Sequence, residues 1–349
     1  MIINFLIDSR YGGPQVIYNF LKKNINNNSS VIYLDKKYKS FSFSNFKKIY
    51  KLFYLFDIIY NFIILYLQKK YFKNFKIFFV FSIVNFLPVL FGIFLKKKII
   101  WYIIEKPNLI FFFIFKILNN YHNLKIVCIT NSLAKILKIK NYNVYFPAIN
   151  ENFWKKTKKS NNLLNLVAVG NLNKTKNHYQ LIKYLEKTQL NYKLVIIGKK
   201  LLTQKKYYKK LICIQKKVNK IKKNNISIYL NKKHIFIKKN LNKSNIFILP
   251  SLSEGLSIAL AEAMSMKLIC LVSKESNHSK IIKNNINGFV FDLNYKSFKK
   301  TLIYVSKLKN KRRRKIEDSA RNTIKKIIYQ NRLSKKSFKN KFFLDHQSI

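Results

Sequence analysis

The sequence predicts an α/β protein made of two doubly wound, Rossmann-like domains in tandem. Short apolar, β-branched runs alternate with longer helix-forming stretches along the whole chain. Such alternation is typical of parallel sheets covered by helices on both faces. The alternation pauses near 147–155 and then restarts, and a length of 349 residues favours two hydrophobic cores over one.

The strand pattern divides the chain into a first domain over 1–150, a second over 151–325 and a basic, helical tail over 326–349 that is expected to pack back on the first domain. In doubly wound sheets, ligands bind beyond the carboxyl ends of the strands, so two facing sheets predict a site in the cleft between them. The predicted strands are 2–7, 30–34, 56–60, 76–82, 99–104, 125–130, 143–146, 163–169, 192–197, 226–230, 245–249, 268–272 and 288–291.

The chain is strongly basic, with a formal net charge of +56. A basic surface attracts polyanions such as nucleic acids and anionic membranes. Only six of the 69 basic residues are Arg, whereas nucleic-acid readers favour the donor fork of Arg. No dedicated nucleic-acid role is therefore expected, and anionic lipid headgroups are the expected partner of the excess charge.

Cysteine usage and the first residues indicate the compartment. Cys128, Cys213 and Cys270 are widely spaced and odd in number, which favours a reducing compartment and no metal site. The first apolar stretch meets Asp8 and Arg10 too soon for a signal peptide. A cytoplasmic protein is expected.

The histidines show no metal-ligand spacing, and all but His346 lie beside Asn or Lys in the sequence. Surface positions are therefore expected for all of them: His122, His178, His234, His278 and His346.

Residues 77–95 run for nineteen positions without a charge, which meets the length criterion for a transmembrane helix. Asn85 and Pro88 in the middle, after a β-rich start, favour a buried strand, a short turn and a buried helix. The spanning helix remains the alternative.

Two carboxylates, Glu254 and Glu262, lie in the otherwise uncharged run PSLSEGLSIALAEAM (250–264). The run predicts a loop after the strand 245–249 and a helix that Ser257 caps. Backbone N–H groups at that helix start can hold phosphate oxygens. Glu262 then lies roughly 8–12 Å along the axis from Glu254. Carboxylates suit vicinal hydroxyls, but Glu262 could instead pair with a surface Lys and Glu254 cap its loop.

Lys176 follows another predicted strand, six residues beyond Gly170. An ammonium there could meet a diphosphate, although one more solvated Lys is the alternative. Another tight turn is predicted at Asn287-Gly288. In a chain with seven glycines, those at or just after strand ends are expected to provide positive φ or close approach to a ligand: Gly12, Gly13, Gly170, Gly198, Gly255 and Gly288.

These segments, in this order, resemble a family 4 retaining glycosyltransferase of the GT-B fold. The E-x7-E element in PSLSEGLSIALAEAM is the most specific signature, and VGNLNKTKNH, YKLVIIG and NNINGFVF are similar to neighbouring family blocks. The resemblance is strong over 163–292. Over 1–150 it is weaker and depends on DSRYGGP, WYIIEKP, ITNSLAKIL and VYFPAIN.

The resemblance implies transfer of a sugar from a nucleotide-diphosphate donor to a glycan or lipid-linked acceptor, with retained configuration, no metal and no cofactor. The first domain would bind the acceptor and the second the donor. The residues implied are Glu254 for the donor sugar, Lys176 for the leaving diphosphate, Glu262 for the ribose, amides from Gly255, Leu256, Ser257 and Ile258 for phosphate and sugar, Gly170 and Asn171 beside the diphosphate, and Gly12 and Gly13 from the first domain.

Three positions depart from the family pattern. Asn171 stands where Arg is frequent, Ile104 where a His is frequent, and Lys280 where an acid is common. The first two bear on diphosphate binding and acceptor geometry. The rival predictions are a basic peripheral membrane or nucleic-acid-binding protein with a degenerate GT-B cleft and, nearer, a nucleotide-sugar epimerase.

Aromatic, basic patches at 45–56 and 69–79 predict contact with the inner face of the cytoplasmic membrane, because Lys can meet headgroups while aromatic rings enter the interface. Together with the resemblance, they favour a peripheral enzyme of polysaccharide or lipopolysaccharide biosynthesis. The alternative is that these patches are buried helix faces with solvated lysines.

Overall fold

The chain forms two compact units, of which the second spans Ile149–Tyr329 and the first includes the described residues before it. Each unit is described by itself. The computed structural model describes residues 2–6, 18, 29–33, 60, 62–83, 85–104, 109–118, 120–129, 131–140, 142–145, 149, 151–154, 164–201, 204–222, 225–254, 257–276 and 281–330.

The first unit contains a parallel sheet in the order β2-β1-β3-β4-β5-β6. The strand order reverses between β1 and β3, as in doubly wound folds. The strands are β1 (Ile2–Leu6), β2 (Ser29–Tyr33), β3 (Ile77–Phe81), β4 (Lys98–Ile103), β5 (Leu124–Cys128) and β6 (Asn143–Val144), and the helices are α1 (Lys69–Lys73), α2 (Phe86–Phe94), α3 (Leu109–Leu118) and α4 (Asn131–Ile136).

The uncharged segment 77–95 folds as a buried strand, a turn and a helix, which confirms the favoured prediction. Every residue of β3 is buried, and most of α2 is buried as well. Two side chains fix the turn: Asn85 Nδ2 donates to the Phe81 carbonyl at 2.8 Å, and Trp101 Nε1 donates to the Ser82 carbonyl at 2.8 Å. Among the described residues, no helix is both long and apolar enough to cross a bilayer.

The aromatic patch at 69–79 is mostly core, so the prediction that its rings meet a membrane is wrong for most of them. Phe72, Phe75, Phe78 and Phe79 are all buried. Phe78 and Phe79 belong to β3, and the ring of Phe72 packs against those of Phe78 and Phe91. Tyr71 remains exposed. The other patch, 45–56, lies outside the described residues.

The second unit contains a second parallel sheet, in the order β12-β11-β10-β7-β8-β9. The strands are β7 (Leu164–Val169), β8 (Tyr192–Gly198), β9 (Ile226–Leu230), β10 (Ile246–Leu249), β11 (Ile269–Ser273) and β12 (Phe289–Phe291), and the α-helices are α5 (His178–Glu186), α6 (Lys205–Ile221), α7 (His234–Lys243), α8 (Ile258–Ser265), α9 (Tyr295–Ser306) and α10 (Asn310–Gln330). A 3₁₀ turn, Glu151–Trp154, precedes β7.

The six strands of this second sheet have the order of a dinucleotide-binding fold, with the reversal between the adjacent strands β7 and β10. Helical periodicity explains how the helices cover the sheet. In α6, the buried residues Tyr207, Leu211, Ile214 and Val218 recur every three or four positions, so one stripe of the helix faces the core.

The predicted strands agree with the observed ones to within one or two residues at most ends, with one exception. In the predicted strand 56–60, residue 60 is helical and is followed by helix over 62–67, while 56–59 lie outside the described residues. Helix α10 continues through the predicted boundary at 325. The predicted tail lies outside the described residues from 331 onward.

The glycines do not provide positive φ where the structure describes them, so that part of the prediction is wrong. Within the described ranges, positive φ occurs at Ser82, Lys96, Lys138, Asn177, Asn231, Lys267 and Asn285, and at no glycine. In the turn before β12, Asn285 takes the left-handed conformation, and its N–H donates to the Gly288 carbonyl at 2.8 Å. The predicted tight turn near Asn287-Gly288 is therefore confirmed.

Candidate active site

The candidate site lies at the carboxyl ends of β7 and β10, the two strands between which the order of the second sheet reverses. Crevices at this position of an α/β sheet bind ligands, because the loops after the two strands diverge to opposite faces. The loop after β7 leads into α5, and the loop after β10 leads into α8. A backbone hydrogen bond joins these loops, from Leu252 N–H to the Thr175 carbonyl at 2.8 Å.

Lys176 and Glu254, one from each loop, form an ion pair. Lys176 Nζ is 2.5 Å from Glu254 Oε1, and the two side chains are 20% and 9% exposed. The same carboxylate oxygen accepts a hydrogen bond from Ser251 Oγ at 2.6 Å. Lys176 is thus not a solvated surface lysine. Glu254 accepts a hydrogen bond within its own loop, as the alternative of a loop cap predicts. It also pairs with a lysine from the loop after the neighbouring strand.

The position of Lys176 is fixed along its whole length. Its backbone N–H donates to Asn173 Oδ1 at 2.9 Å. A Cβ placed on Gly170 would lie 3.1–3.3 Å from the Cδ, Cε and Cγ atoms of Lys176. Gly170, directly after β7, therefore allows the aliphatic stem of Lys176 to lie against the backbone. The close approach at this glycine is to a side chain of the protein itself.

The helix after β10 begins as the sequence predicts. Ser257 is the N-cap of α8, and its Oγ accepts from the Leu260 N–H at 3.2 Å. Ile258 is the first helical residue. Gly255 and Leu256, whose amides were predicted to hold phosphate, lie outside the described residues.

Glu262, in the middle of α8, is 4% exposed. Its Oε1 lies 2.6 Å from His234 Nε2, at the first residue of α7. Burial raises the pKa of the Glu262 carboxyl, and the hydrogen bond from His234 opposes that rise. The alternative that Glu262 pairs with a surface lysine is wrong.

The prediction of surface histidines is wrong at two positions. His234 bonds to Glu262, and its ring packs on Phe153 with centroids 4.7 Å apart. His178, at the start of α5, is 2% exposed, and burial together with the nearby charge of Lys176 lowers its pKa to about 3. His122 is exposed as predicted, while 278 and 346 lie outside the described residues. A signal was present for His234, since it follows the carboxyl end of β9.

Other predicted positions are placed only in part. Asn171 lies directly after Gly170, and its carbonyl accepts from the Asn173 N–H at 2.9 Å. Ile104 follows the end of β4. Gly12, Gly13 and Lys280 lie outside the described residues. No group of three or more His, Cys, Asp or Glu side chains is placed to hold a metal ion in the part of the chain that the structure describes.

Solved structures superimpose on nearly the whole length of the chain. Anabaena Alr3699/HepE, solved in complex with UDP-glucose, superimposes with a TM-score of 0.74 at 12% identity, over 95% of this chain and 98% of that one. A glycosyltransferase from Rickettsia africae ESF-5 superimposes with a TM-score of 0.65 at 16% identity, over 99% of both chains. Together with the two parallel sheets, these likenesses show the GT-B fold.

The family model described as glycosyl transferases group 1 matches residues 149–323, about half of the chain. The protein belongs to this family, whose members with the GT-B fold typically use nucleotide-sugar donors without a cofactor. A curated relative is the Escherichia coli UDP-Gal:alpha-D-GlcNAc-diphosphoundecaprenol alpha-1,3-galactosyltransferase. It is 43% identical over 54 residues, and the match spans 16% of this chain and 14% of that protein.

Proposed function

We propose that the protein is a retaining, family 4 glycosyltransferase of hexosyltransferase type. In this proposal it moves a sugar from a nucleotide-diphosphate donor to a glycan or lipid-linked acceptor. The observation that carries the proposal is the pairing of Lys176 with Glu254 at the strand reversal of the second sheet. A nucleotide sugar bound in this crevice would meet a cation for its diphosphate and a carboxylate for its sugar hydroxyls.

The proposed roles follow the chemistry of each group. Glu262 binds the ribose hydroxyls and Glu254 those of the donor sugar, while the backbone from Gly255 through Ser257 to Ile258 binds phosphate and sugar. Gly170 and Asn171 border the diphosphate, and Gly12 and Gly13, which lie outside the described residues, also contribute to donor binding.

In the proposed transfer, the bond between the anomeric carbon and the diphosphate oxygen breaks while the acceptor oxygen bonds to the same face of the sugar. The acceptor proton passes to the departing phosphate oxygen. Negative charge grows on that phosphate, and a preorganised cation such as Lys176 stabilises it without solvent reorganisation. We propose that this lysine and the helix amides supply the positive charge, so that transfer is independent of metal.

Lys176 is already paired with Glu254 in the free protein. A diphosphate entering the site must compete with the carboxylate for the ammonium, or share it. Sharing is compatible with the three donor hydrogens of the ammonium group. The pair thus holds Lys176 in position until the phosphate oxygens arrive.

The names of similar proteins support the donor and acceptor classes. The Escherichia coli relative is named for UDP-galactose and an undecaprenol-diphosphate acceptor, and the Anabaena structure contains UDP-glucose. We therefore propose a UDP-sugar as the first donor to test and a lipid-linked glycan as the acceptor, in cell-surface polysaccharide or lipopolysaccharide biosynthesis.

We also propose that the protein is cytoplasmic and binds the inner face of the membrane through the first unit. The support is a stripe of exposed apolar and aromatic side chains, here called the exposed stripe: Tyr60, Ile63, Leu67 and Tyr71. Ile63 and Leu67 lie in the helix over 62–67 and Tyr71 lies in α1, so the stripe follows one segment of the chain whose helices meet at the turn residue Gln68. Lys70 and Lys73 are exposed on the same segment, and such lysines suit anionic headgroups.

Donor binding and turnover test the enzymatic proposal. The full chain is screened by thermal shift against UDP-, GDP- and ADP-sugars, where a bound ligand at 100 times its Kd stabilises by about 2.7 kcal/mol. For the donor found, Lys176→Ala is expected to lower kcat/KM by about 100-fold. Chelation by EDTA is expected to leave turnover unchanged.

Lys217→Ala is the matched control, because Lys217 pairs with Glu186 at 2.9 Å on the surface of the same unit. It is expected to leave kcat/KM unchanged. If no nucleotide sugar binds or is hydrolysed, while the protein binds lipid or nucleic acid regardless of Lys176→Ala, the alternative of a degenerate cleft replaces the enzyme.

A further inference from the structure

His234 connects two helices of the second unit, α7 and α8, through a side-chain hydrogen bond. It is the first residue of α7, and its Nε2 lies 2.6 Å from Oε1 of Glu262, the fifth residue of α8. The side chains of His234 and Glu262 are 18% and 6% exposed. A carboxylate this deeply buried needs a hydrogen-bond donor, since burial without a partner is costly.

The imidazole ring is itself held in place. It packs against the ring of Phe153, with centroids 4.7 Å apart and an angle of 33° between the ring planes. Phe153 lies in the 3₁₀ turn Glu151–Trp154, and its carbonyl accepts a hydrogen bond from Ser265 Oγ at 3.2 Å. Ser265 ends the same helix that bears Glu262. The donor, its support and the carboxylate therefore form one connected group.

We propose that His234 is a positioning residue for Glu262: its Nε2–H holds one carboxylate oxygen, fixing the carboxylate plane so that the remaining acceptor sites meet the ribose hydroxyls of the donor nucleotide. The inference rests on the proposed function, in which Glu262 binds the ribose. It goes further by assigning discrimination for a ribonucleotide to a histidine outside the E-x7-E element.

The physical reason is orientation. A carboxylate offers about four lone-pair sites on its two oxygens, and only some directions suit the two hydroxyls of one ribose. Rotation about the last bond of Glu side chains is broad, so an unrestrained Glu262 would lose freedom on binding. A hydrogen bond from a ring packed on Phe153 removes that freedom beforehand, and preorganisation of this kind raises affinity.

The test compares two ligands by calorimetry on the full chain: the nucleoside diphosphate that binds best, and its 2′,3′-dideoxy counterpart. The wild type is expected to prefer the ribose form by about 10–100-fold, the range for hydrogen bonds to a charged group. His234→Phe keeps a ring against Phe153 but donates no hydrogen bond. It is expected to weaken binding of the ribose form about tenfold and leave the dideoxy form unchanged.

Two further variants separate positioning from folding. His234→Gln restores a donor and is expected to recover part of the lost preference, while His122→Phe replaces an exposed histidine of the first unit and is expected to change nothing. Equal weakening of both ligands by His234→Phe, or an unchanged preference, would overturn the inference while leaving the proposed function intact. A wild type that binds no nucleoside diphosphate would overturn both.

Discussion

Positions 170 and 198 leave little room for a side chain, although neither Gly170 nor Gly198 has a positive φ. Gly170 lies against the stem of Lys176, whose flexible side chain could yield by a few tenths of an ångström. A Cβ on Gly198 would instead overlap the Gly170 carbonyl oxygen, which is backbone. The two glycines thus differ in what a methyl group would displace.

Alanine substitution should separate these two cases. Gly170→Ala is expected to displace Lys176 and lower kcat/KM for donor turnover about tenfold, with a Tm close to that of the wild type. Gly198→Ala forces the backbone apart and is expected to cost about 3 kcal/mol, which lowers Tm by roughly 6–12 °C. Calorimetric melts and steady-state kinetics measure both effects. A larger loss of stability in Gly170→Ala than in Gly198→Ala would contradict this explanation.

The helices over 62–67 and 69–73 carry both buried and exposed apolar side chains. Leu65 and Phe72 are buried within the first unit, while Leu67 is 75% exposed. The ring of Tyr66 lies 5.6 Å from that of Phe94, and Phe94 is exposed as well. Exposed apolar side chains beside lysines are typical of a surface that enters a lipid interface.

Replacing one residue of the exposed stripe tests the membrane proposal. Leu67→Asp removes apolar area and adds a negative charge, so binding to vesicles that contain anionic phospholipid is expected to fall about tenfold in sedimentation assays. Ile221→Asp is the control, because Ile221 is 64% exposed on α6 of the second unit. Equal loss in both variants, or none in Leu67→Asp, would exclude the stripe as the membrane contact.

At the scale of the whole molecule, acid stability reflects buried titratable groups as well as surface charge. His178 is neutral in the folded protein, with a pKa of about 3, lowered first by burial and then by the charge of Lys176. In the unfolded chain it takes up a proton below about pH 6.5. The unfolded state then binds more protons, so this contribution is present above about pH 6.5 and is lost as pH falls towards 3.

Between pH 7.5 and pH 5, this histidine is expected to cost about 2 kcal/mol of stability, or about 4–8 °C in the Tm of a unit of this size. His178→Gln should show a smaller fall in Tm over the same range. His122→Gln, at an exposed position, should retain the wild-type fall. Scanning calorimetry at both pH values measures the difference, and parallel falls in all three proteins would contradict the assignment to His178.

Local sequence determined much of this protein. Apolar runs and helical stretches predicted nearly all the described strands, because their periods depend on neighbouring residues alone. Ser257 was predicted as the N-cap of α8, since a cap bonds only three residues along its own helix. Glu254 and Glu262 were also apparent as candidates, because no other charge interrupts their run, whereas the role expected of Lys176 came from the family resemblance.

The partners of those residues required the tertiary structure. Lys176 and Glu254 are 78 residues apart, and they meet because β7 pairs with β10, an adjacency set by the strand order and not by the order along the chain. His234 reaches Glu262 across 28 residues, although β9 and β10, the strands that precede their helices, are not neighbours in the sheet. The sequence by itself thus determined the strands, the helices and the candidate groups for a nucleotide-sugar site, whereas only the tertiary structure, through contacts between residues far apart in the chain, decided which of those groups hold one another in place.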